Sequence, residues 1–224
     1  TRSQGGKDAA SSSYIFTYLS PVTRKIFNPQ DDALLNFLSD DGQSIEPEYY
    51  VPIIPTVLVN GSSGIGTGWS SDIYNQNPRK IIDNIRRMLK GQQPVEMHPW
   101  YKGFIGGVVG KQGKRHCYSI RGLFDIVEER PNTVHVYELP VGKWTSDYKA
   151  WLEELTKEGH VTELLEYHTD VTVSFSISFS DATWKKAEEQ GLRNFLKLES
   201  SCSATNMVLF DSTGKLRKYE STND

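Results

Sequence analysis

The chain has 224 residues, 37% of them hydrophobic and 24% charged, which is the composition of a folded protein with one large domain or two small ones. No apolar run approaches the ~20 residues of a membrane-spanning helix, and the N-terminus is polar and glycine-rich rather than a signal peptide, so a soluble intracellular chain without a membrane partner is expected. A net charge of −3 argues against a protein that grips phosphates over its whole surface, so any nucleic acid must bind locally.

In chain order, the first fourteen residues set a tyrosine, Tyr14, behind a cationic, glycine-rich lead-in containing Arg2, Gly5, Gly6 and Lys7. A phenol ionises only near pH ~10, so a nucleophilic tyrosine needs cations or a base beside it, and Arg2 and Lys7 are candidates. Glycine lets the backbone approach a phosphate closely. On residue type alone the simpler reading is that Tyr14-Ile15-Phe16 begins an apolar helix and packs. Thr1 carries no cap and no element of its own, so the start reads as though cut from something longer.

Ile15, Leu19, Val22 and Ile26 fall near helical spacing, with Pro21 as a kink and Asn28-Pro29 as a stop, predicting one or two short helices. Asp31-Asp32 can cap a further turn carrying Leu34, Leu35, Phe37 and Leu38, and Asp40-Asp41-Gly42 marks a turn. Over residues 45–69 the prolines Pro47, Pro52 and Pro55 forbid a helix, Val57–Val59 reads as a short buried strand, and Asn60-Gly61 as a turn. Gly61, Gly64, Gly66 and Gly68 then form a loop around one large apolar residue, Ile65. The spacing is not that of a dinucleotide fingerprint, and Gly6-Lys7 lacks the rest of a phosphate-binding Walker loop. The loop is either a tight structural turn or an exposed apolar wedge that pushes between DNA bases.

Pro78 to Lys90 is the clearest helix, with Ile81, Ile82, Ile85 and Leu89 on one face, five cations around the rest, and Gly91 at its end. Beyond residues 91–102 the pattern shifts to strands at Phe104–Gly110, Cys117–Leu123 and Val134–Leu139, which places a domain boundary there. A helix over 146–157 carries a core stripe of Tyr148, Trp151, Leu152 and Leu155, and residues 171–179 alternate as a half-buried strand. Asp181 caps a helix to about Gln190. Strands near Phe195–Leu198 and Met207–Phe210 follow, and the chain ends in Lys215, Arg217 and Lys218 without a closing element. The whole is of α+β class. His98, His116, His135, His160 and His168 are scattered, Cys117 and Cys202 lack partners at ligand spacing, and no metal site is expected.

GGKDAAxxxYIFT, EPEYYVPIIPTVLVNGSSGIGTGW, ELPVGKWT and NMVLFDxxGKLRKY together resemble the breakage–rejoining region of eukaryotic-type type IIA DNA topoisomerases. VNGSSGI also resembles the equivalent loop of the bacterial gyrase A proteins. The resemblance implies residues 1–91 as the end of a winged-helix domain and residues 92–224 as a mixed helix and antiparallel-strand tower domain. It implies Tyr14 as the nucleophile of a 5′-phosphotyrosyl intermediate and Ile65, flanked by Gly64 and Gly66, as the wedge that bends the gate DNA. Arg2 and Lys7 would lie along the DNA backbone.

For the whole enzyme it implies an ATP-dependent, homodimeric isomerase of the nucleus, or of another DNA-containing compartment such as a viral factory. Double-stranded DNA is its partner. Mg2+ and ATP would bind domains outside this segment, and dimerisation would also use other regions. The alternative is an architectural module that bends DNA without cutting it. The sequence departs from the family pattern at Ser13, where an arginine is usual, at Ser12, where proline or alanine is common, at Tyr74, where proline is usual, and at Gly142-Lys143, which replaces an Arg-Thr pair.

Overall fold

The computed structural model describes residues 2–224; Thr1, whose missing cap the sequence raised, lies outside the described residues. The chain forms two compact units, one of Ala10–Met97 with Asn223, the other of the residues up to Ala9 with His98–Thr222 and Asp224.

The Ala10–Met97 unit begins with a single 3-10 turn, Ser12–Tyr14, followed by extended backbone and one turn of helix, α1 (Thr23–Ile26). Of the helical spacing over 15–26 only the last turn, α1, is helical; Ile15, Phe16 and Leu19 lie in non-helical, exposed backbone. A second 3-10 turn, Pro29–Leu34, is capped by Asn28, whose Oδ1 accepts from the Gln30 amide at 3.0 Å. Strands β1 (Phe37–Asp40) and β2 (Gln43–Pro47) then pair through Asp41-Gly42, both at positive φ (46° and 79°), as a tight mirror-image turn demands.

Val57–Val59 lies in a helical turn, α2 (Thr56–Asn60), and not in a strand. Pro55 fixes its start, and short apolar runs do not distinguish strand from helix by periodicity. The α2 carbonyls are tied off further along the chain: Leu58 accepts from the Gln76 amide at 2.7 Å and Val59 from Asn75 Nδ2 at 3.0 Å. Between these ties the glycine loop is a regular hairpin, β3 (Ser62–Gly66) with β4 (Trp69–Ile73). Helix α3 (Pro78–Leu89) follows, capped by Asn77 and burying Ile81 and Asn84. Asn84 grips Val95 from both sides, donating to its carbonyl at 2.7 Å and accepting from its amide at 2.9 Å.

The second unit holds the main core. Strands β5 (Gly107–Gly110), β6 (Cys117–Arg121), β7 (Leu123–Ile126) and β8 (Thr133–Glu138) precede helix α4 (Thr145–Lys157) and strands β9 (Val161–Glu166) and β10 (Phe175–Phe179). Helices α5 (Asp181–Gln190) and α6 (Leu192–Phe195) lead to β11 (Glu199–Ser203), β12 (Met207–Phe210) and β13 (Leu216–Tyr219). All pairings are antiparallel: a four-stranded sheet β7-β8-β10-β9, a three-stranded sheet β11-β6-β5, and the β12–β13 hairpin. Val134, Val136, Phe175 and Ile177 bury one sheet face against Tyr148 and Leu152 of α4 and against Leu196 and Leu198.

Two strand expectations shift. Phe195–Leu198 is the end of α6 and its exit, and β13 closes the chain where no element was expected. The alternating run from Val171 pairs regularly only from Phe175, because Thr169 and Thr172 hold residues 169–172 in a turn. The fold class is mixed α and β with antiparallel sheets.

Candidate nucleic-acid interface

Tyr14 ends its 3-10 turn with its amide bonded to the Ser11 carbonyl at 3.0 Å and its side chain 84% exposed. No hydrogen bond among the described residues occupies its hydroxyl. Tyr148 is the contrast: fully buried, it donates to the Leu196 carbonyl at 2.9 Å, and burial pushes its phenol pKa far up. A phenol in that setting is held neutral and enclosed, whereas Tyr14 is open to solvent.

The β3–β4 hairpin explains why Ile65 stands alone. Its register sets Ile65 opposite Ser70 and Gly66 opposite Trp69. Because side chains alternate across a strand, Trp69, Ser71 and Ile73 share one face while Ile65 shares the other with Ser63, Ser70 and Asp72. Ile73 is buried and Ile65 is 94% exposed. The flanking glycines are not demanded by packing. A Cβ at Gly64 would meet nothing within 4 Å, one at Gly66 only the Trp69 carbonyl at 3.7 Å, and neither residue has positive φ. Gly61 is different: its φ is +69° and a Cβ there would lie 2.6 Å from the Ile73 carbonyl. The fold thus requires a glycine at the hairpin base and leaves those beside Ile65 free for close approach by something else.

Arg2 and Lys7 belong to the other unit, where both face carboxylates. Arg2 forms an ion pair with Glu138, whose side chain is 1% exposed, and burial lowers the guanidinium's pKa. The same carboxylate accepts from the Ile105 amide at 3.1 Å and the Leu139 amide at 3.0 Å. The Ser146 amide donates to the Ser3 carbonyl at 3.0 Å, and the two serine hydroxyls are also 3.0 Å apart. Lys7 reaches Asp147 at 3.3 Å with both side chains largely exposed. Gly5, at φ +65°, lies so close to the Trp144 indole that a Cβ there would collide with the ring. Lys143, in the segment that departs from the family pattern, donates to the Lys197 carbonyl at 2.6 Å; burial first, then the Lys197 charge, lowers its pKa.

The structure thus joins Gly64, Ile65 and Gly66 on one strand and seats Arg2 and Lys7 on the chain around Glu138 and the start of α4. Sequence reasoning missed Glu138 and Asp147. For Glu138 a signal existed: in β8 the inward positions are Val134, Val136 and Glu138, a carboxylate where alternation calls for an apolar residue. The α3 cations Arg79, Lys80, Arg86, Arg87 and Lys90 are exposed, with Arg86 4.0 Å from Asp83. Among the described residues no three His, Cys, Asp or Glu side chains gather as metal ligands, and no helix is long and apolar enough to cross a membrane.

Comparison with known proteins covers the whole chain. The family of DNA gyrase/topoisomerase IV A subunits matches residues 1–224. Among curated relatives, DNA topoisomerase 2 of Drosophila melanogaster is 47% identical over all of this chain and 16% of its own length. DNA topoisomerase 2 of Arabidopsis thaliana is 45% identical over 98% of this chain and 15% of its own length. A crystal structure of the DNA-binding, cleavage and re-ligation domain of Plasmodium falciparum topoisomerase II superposes with a TM-score of 0.89 at 43% identity, covering 99% of this chain and 30% of that one. The chain therefore spans about a sixth of the curated relatives it matches.

Proposed function

Because the chain belongs to the family of DNA gyrase/topoisomerase IV A subunits, we propose that it is the DNA-cleaving and DNA-bending part of a type II topoisomerase, which passes one duplex through a transient double-strand break in another. Tyr14 and Ile65, in one compact unit, stand 84% and 94% exposed. Exposure by itself is ordinary for single apolar side chains; the observation that carries the reading is that Ile65 stands between glycines that packing does not require and that the Tyr14 hydroxyl has no partner among the described residues.

Tyr14 attacks a backbone phosphorus in line. The phenolic oxygen forms the new P–O bond, the phenol proton leaves to solvent or a nearby base, and the 3′-oxygen departs and ends as a hydroxyl. The DNA 5′-phosphate is left on the tyrosine. One phosphodiester replaces another, so rejoining runs back through the same steps without an outside energy source for the bond itself. Ile65 enters between base pairs; unstacking costs a few kcal/mol per step, offset by phosphate contacts that the bent duplex gains. Gly64 and Gly66, unneeded by packing, let the strand backbone come against the duplex. Lys7 sits in an exposed pair with Asp147 that is worth little, so it can turn to a phosphate. Arg2 can add to that basic surface only by giving up Glu138.

In this reading residues 1–91 are the end of a winged-helix domain, and residues 92–224 are a tower flanking the bent DNA arms. The complete protein is a homodimer of the nucleus. Its ATP and Mg2+ bind domains outside this segment. Magnesium there would supply charge stabilisation at the cleaved phosphate.

The test uses the complete protein with duplex DNA and Mg2+, trapped with denaturant. Tyr14→Phe is expected to abolish the covalent adduct, and an adduct that survives the substitution overturns the assignment. One observation favours a second reading, a DNA-bending module without cleavage: Ser13 stands where an arginine would hold the phosphate. That reading requires salt-sensitive binding that Ile65→Ala weakens, with no adduct even in the unsubstituted protein.

A further inference from the structure

We propose that the wedge hairpin reads the minor groove and that Asp72 is its specificity-determining residue, selecting a G·C pair near the step that Ile65 opens; the proposal rests on the β3–β4 hairpin entering duplex DNA. Three observations, all within the Ala10–Met97 unit, carry it. The first is charge. From Gly61 to Ile73 the chain has no lysine or arginine, and Asp72 is its one charged residue. The strong phosphate contacts are made by cations, so a hairpin of this composition suits the floor of a groove and not a grip on the backbone.

The second is register. Ile65 pairs with Ser70 and Ser63 with Asp72, so three polar side chains share the face of Ile65. Ser63 and Ser70 are exposed and Asp72 is half-buried. Apolar wedges that part base steps enter through the minor groove. There an A·T pair presents only acceptors, adenine N3 and thymine O2, and a G·C pair adds one donor, the guanine 2-amino group. A serine hydroxyl donates or accepts and so tolerates either pair. A carboxylate only accepts: the acceptors of an A·T pair repel it, and the guanine amino group matches it.

The third is the hold on Asp72. The Tyr74 hydroxyl donates to Asp72 Oδ2 at 2.8 Å, and the other carboxylate oxygen accepts no hydrogen bond among the described residues. Tyr74 stands where the family usually has proline, which has no hydroxyl to give. Tyr74 is thus a positioning residue that fixes one oxygen and leaves the other for guanine. Strand residues and stacked base pairs both advance by about 3.4 Å. Asp72 lies two residues along from the Ile65–Ser70 pair. With the hairpin lying along the groove, it faces a pair about two steps from the opened one.

The experiment uses the complete protein and duplexes centred on one flexible TA step, differing only in the pairs that flank it. These are G·C, A·T, inosine·cytosine, which lacks the 2-amino group, and diaminopurine·thymine, which adds it. Affinity, and bending from energy transfer between the duplex ends, are measured without Mg2+, so cleavage plays no part. The G·C and diaminopurine·thymine duplexes are expected to bind about five-fold tighter or more than the other two. Asp72→Asn, whose amide both donates and accepts, levels the four. Tyr74→Phe narrows the preference and leaves bending in place.

The proposal is overturned if inosine·cytosine binds like G·C, or if the preference survives Asp72→Asn; a full preference in Tyr74→Phe overturns the positioning role. The comparison of duplexes on the unsubstituted protein stands whether or not a variant folds. Bending that is unchanged by Ile65→Ala would instead remove the reading beneath, that the hairpin enters DNA, so the two failures are distinguishable.

Discussion

In the proposed reading, Ser13 leaves the chemistry at Tyr14 to depend on something other than a neighbouring guanidinium. A serine hydroxyl can donate one hydrogen bond to a phosphate oxygen but adds no charge, while an arginine offers a planar fork to two oxygens and stays cationic throughout. Where charge builds on the phosphate in the transition state, loss of a fixed donor typically costs a hundred-fold or more. Ser13→Arg in the complete protein is therefore expected to raise the single-turnover cleavage rate by about ten-fold or more, leaving duplex affinity nearly unchanged. A rate equal to that of the unsubstituted protein would mean that the missing cation is already supplied from elsewhere. Single residues were unevenly legible. Ile65 among its glycines stood out because one large apolar side chain in a glycine run has no local packing role. Glu138 was visible only as a break in strand alternation, and its partner, at a sequence distance of more than a hundred residues, was not visible at all.

At the scale of elements, helices with strong periodicity read directly. Helix α3 runs from its Asn77 cap to Leu89, and α4 runs from Thr145 to Lys157 around its core stripe. Elements whose identity depends on what they pack against did not read. The turn of α2 was legible only as an apolar run, and β9 has too many exposed polar positions to announce itself as the edge of a sheet. The glycine loop was visible as a turn, but its being a hairpin with Ile65 outward depends on pairing register. The terminal hairpin β12–β13 shows a local device that the sequence did signal, the Asp211-Ser212-Thr213-Gly214 turn. Asp211 Oδ1 accepts from the Thr213 amide at 2.8 Å, the Thr213 hydroxyl at 2.7 Å and the Lys215 amide at 3.0 Å. These bonds, Thr213's hydroxyl first, hold the carboxyl below its ordinary pKa.

A carboxyl with a depressed folded pKa contributes stability that is present above its unfolded value and is lost as pH falls through the folded one. Acidification from about pH 5 towards about pH 2 should therefore loosen this turn, seen as movement of the Thr213 and Lys215 amide resonances together. Asp211→Asn should place both resonances near their acid positions at neutral pH and flatten their response. Amides of the native chain that hold still across that range would refute the role given to Asp211.

For the whole molecule, what matters is how unequally the apolar surface is buried. The connected core, from Val134 to Leu198, lies wholly in the second unit. In Ala10–Met97 the buried apolar side chains are Ile73, Ile81 and Met97, while Tyr14, Phe16, Tyr18, Leu34, Tyr49 and Ile65 are exposed. Composition could not foresee this, because both stretches contain apolar residues and only long-range pairing decides which are covered. The joining of β6 to β11, about eighty residues apart, and of Ser3 to Ser146 are contacts of that kind. Local opening is easiest where few apolar contacts back the hydrogen bonds.

Native-state hydrogen exchange on the 224-residue chain is thus expected to find the slowest amides in β8 and β10. Those of β1 and β2 should exchange by a separate opening that needs far less free energy and responds weakly to denaturant, since little surface is uncovered. Helix α3, with Ile81 and the Asn84–Val95 pair behind it, should lie between. Equal protection in β1 and β8, merging into one denaturant-sensitive opening, would show that the first unit draws its stability from the core of the second. If the openings are separate, the surface carrying Tyr14 and Ile65 can reorganise without breaking the core of the second unit.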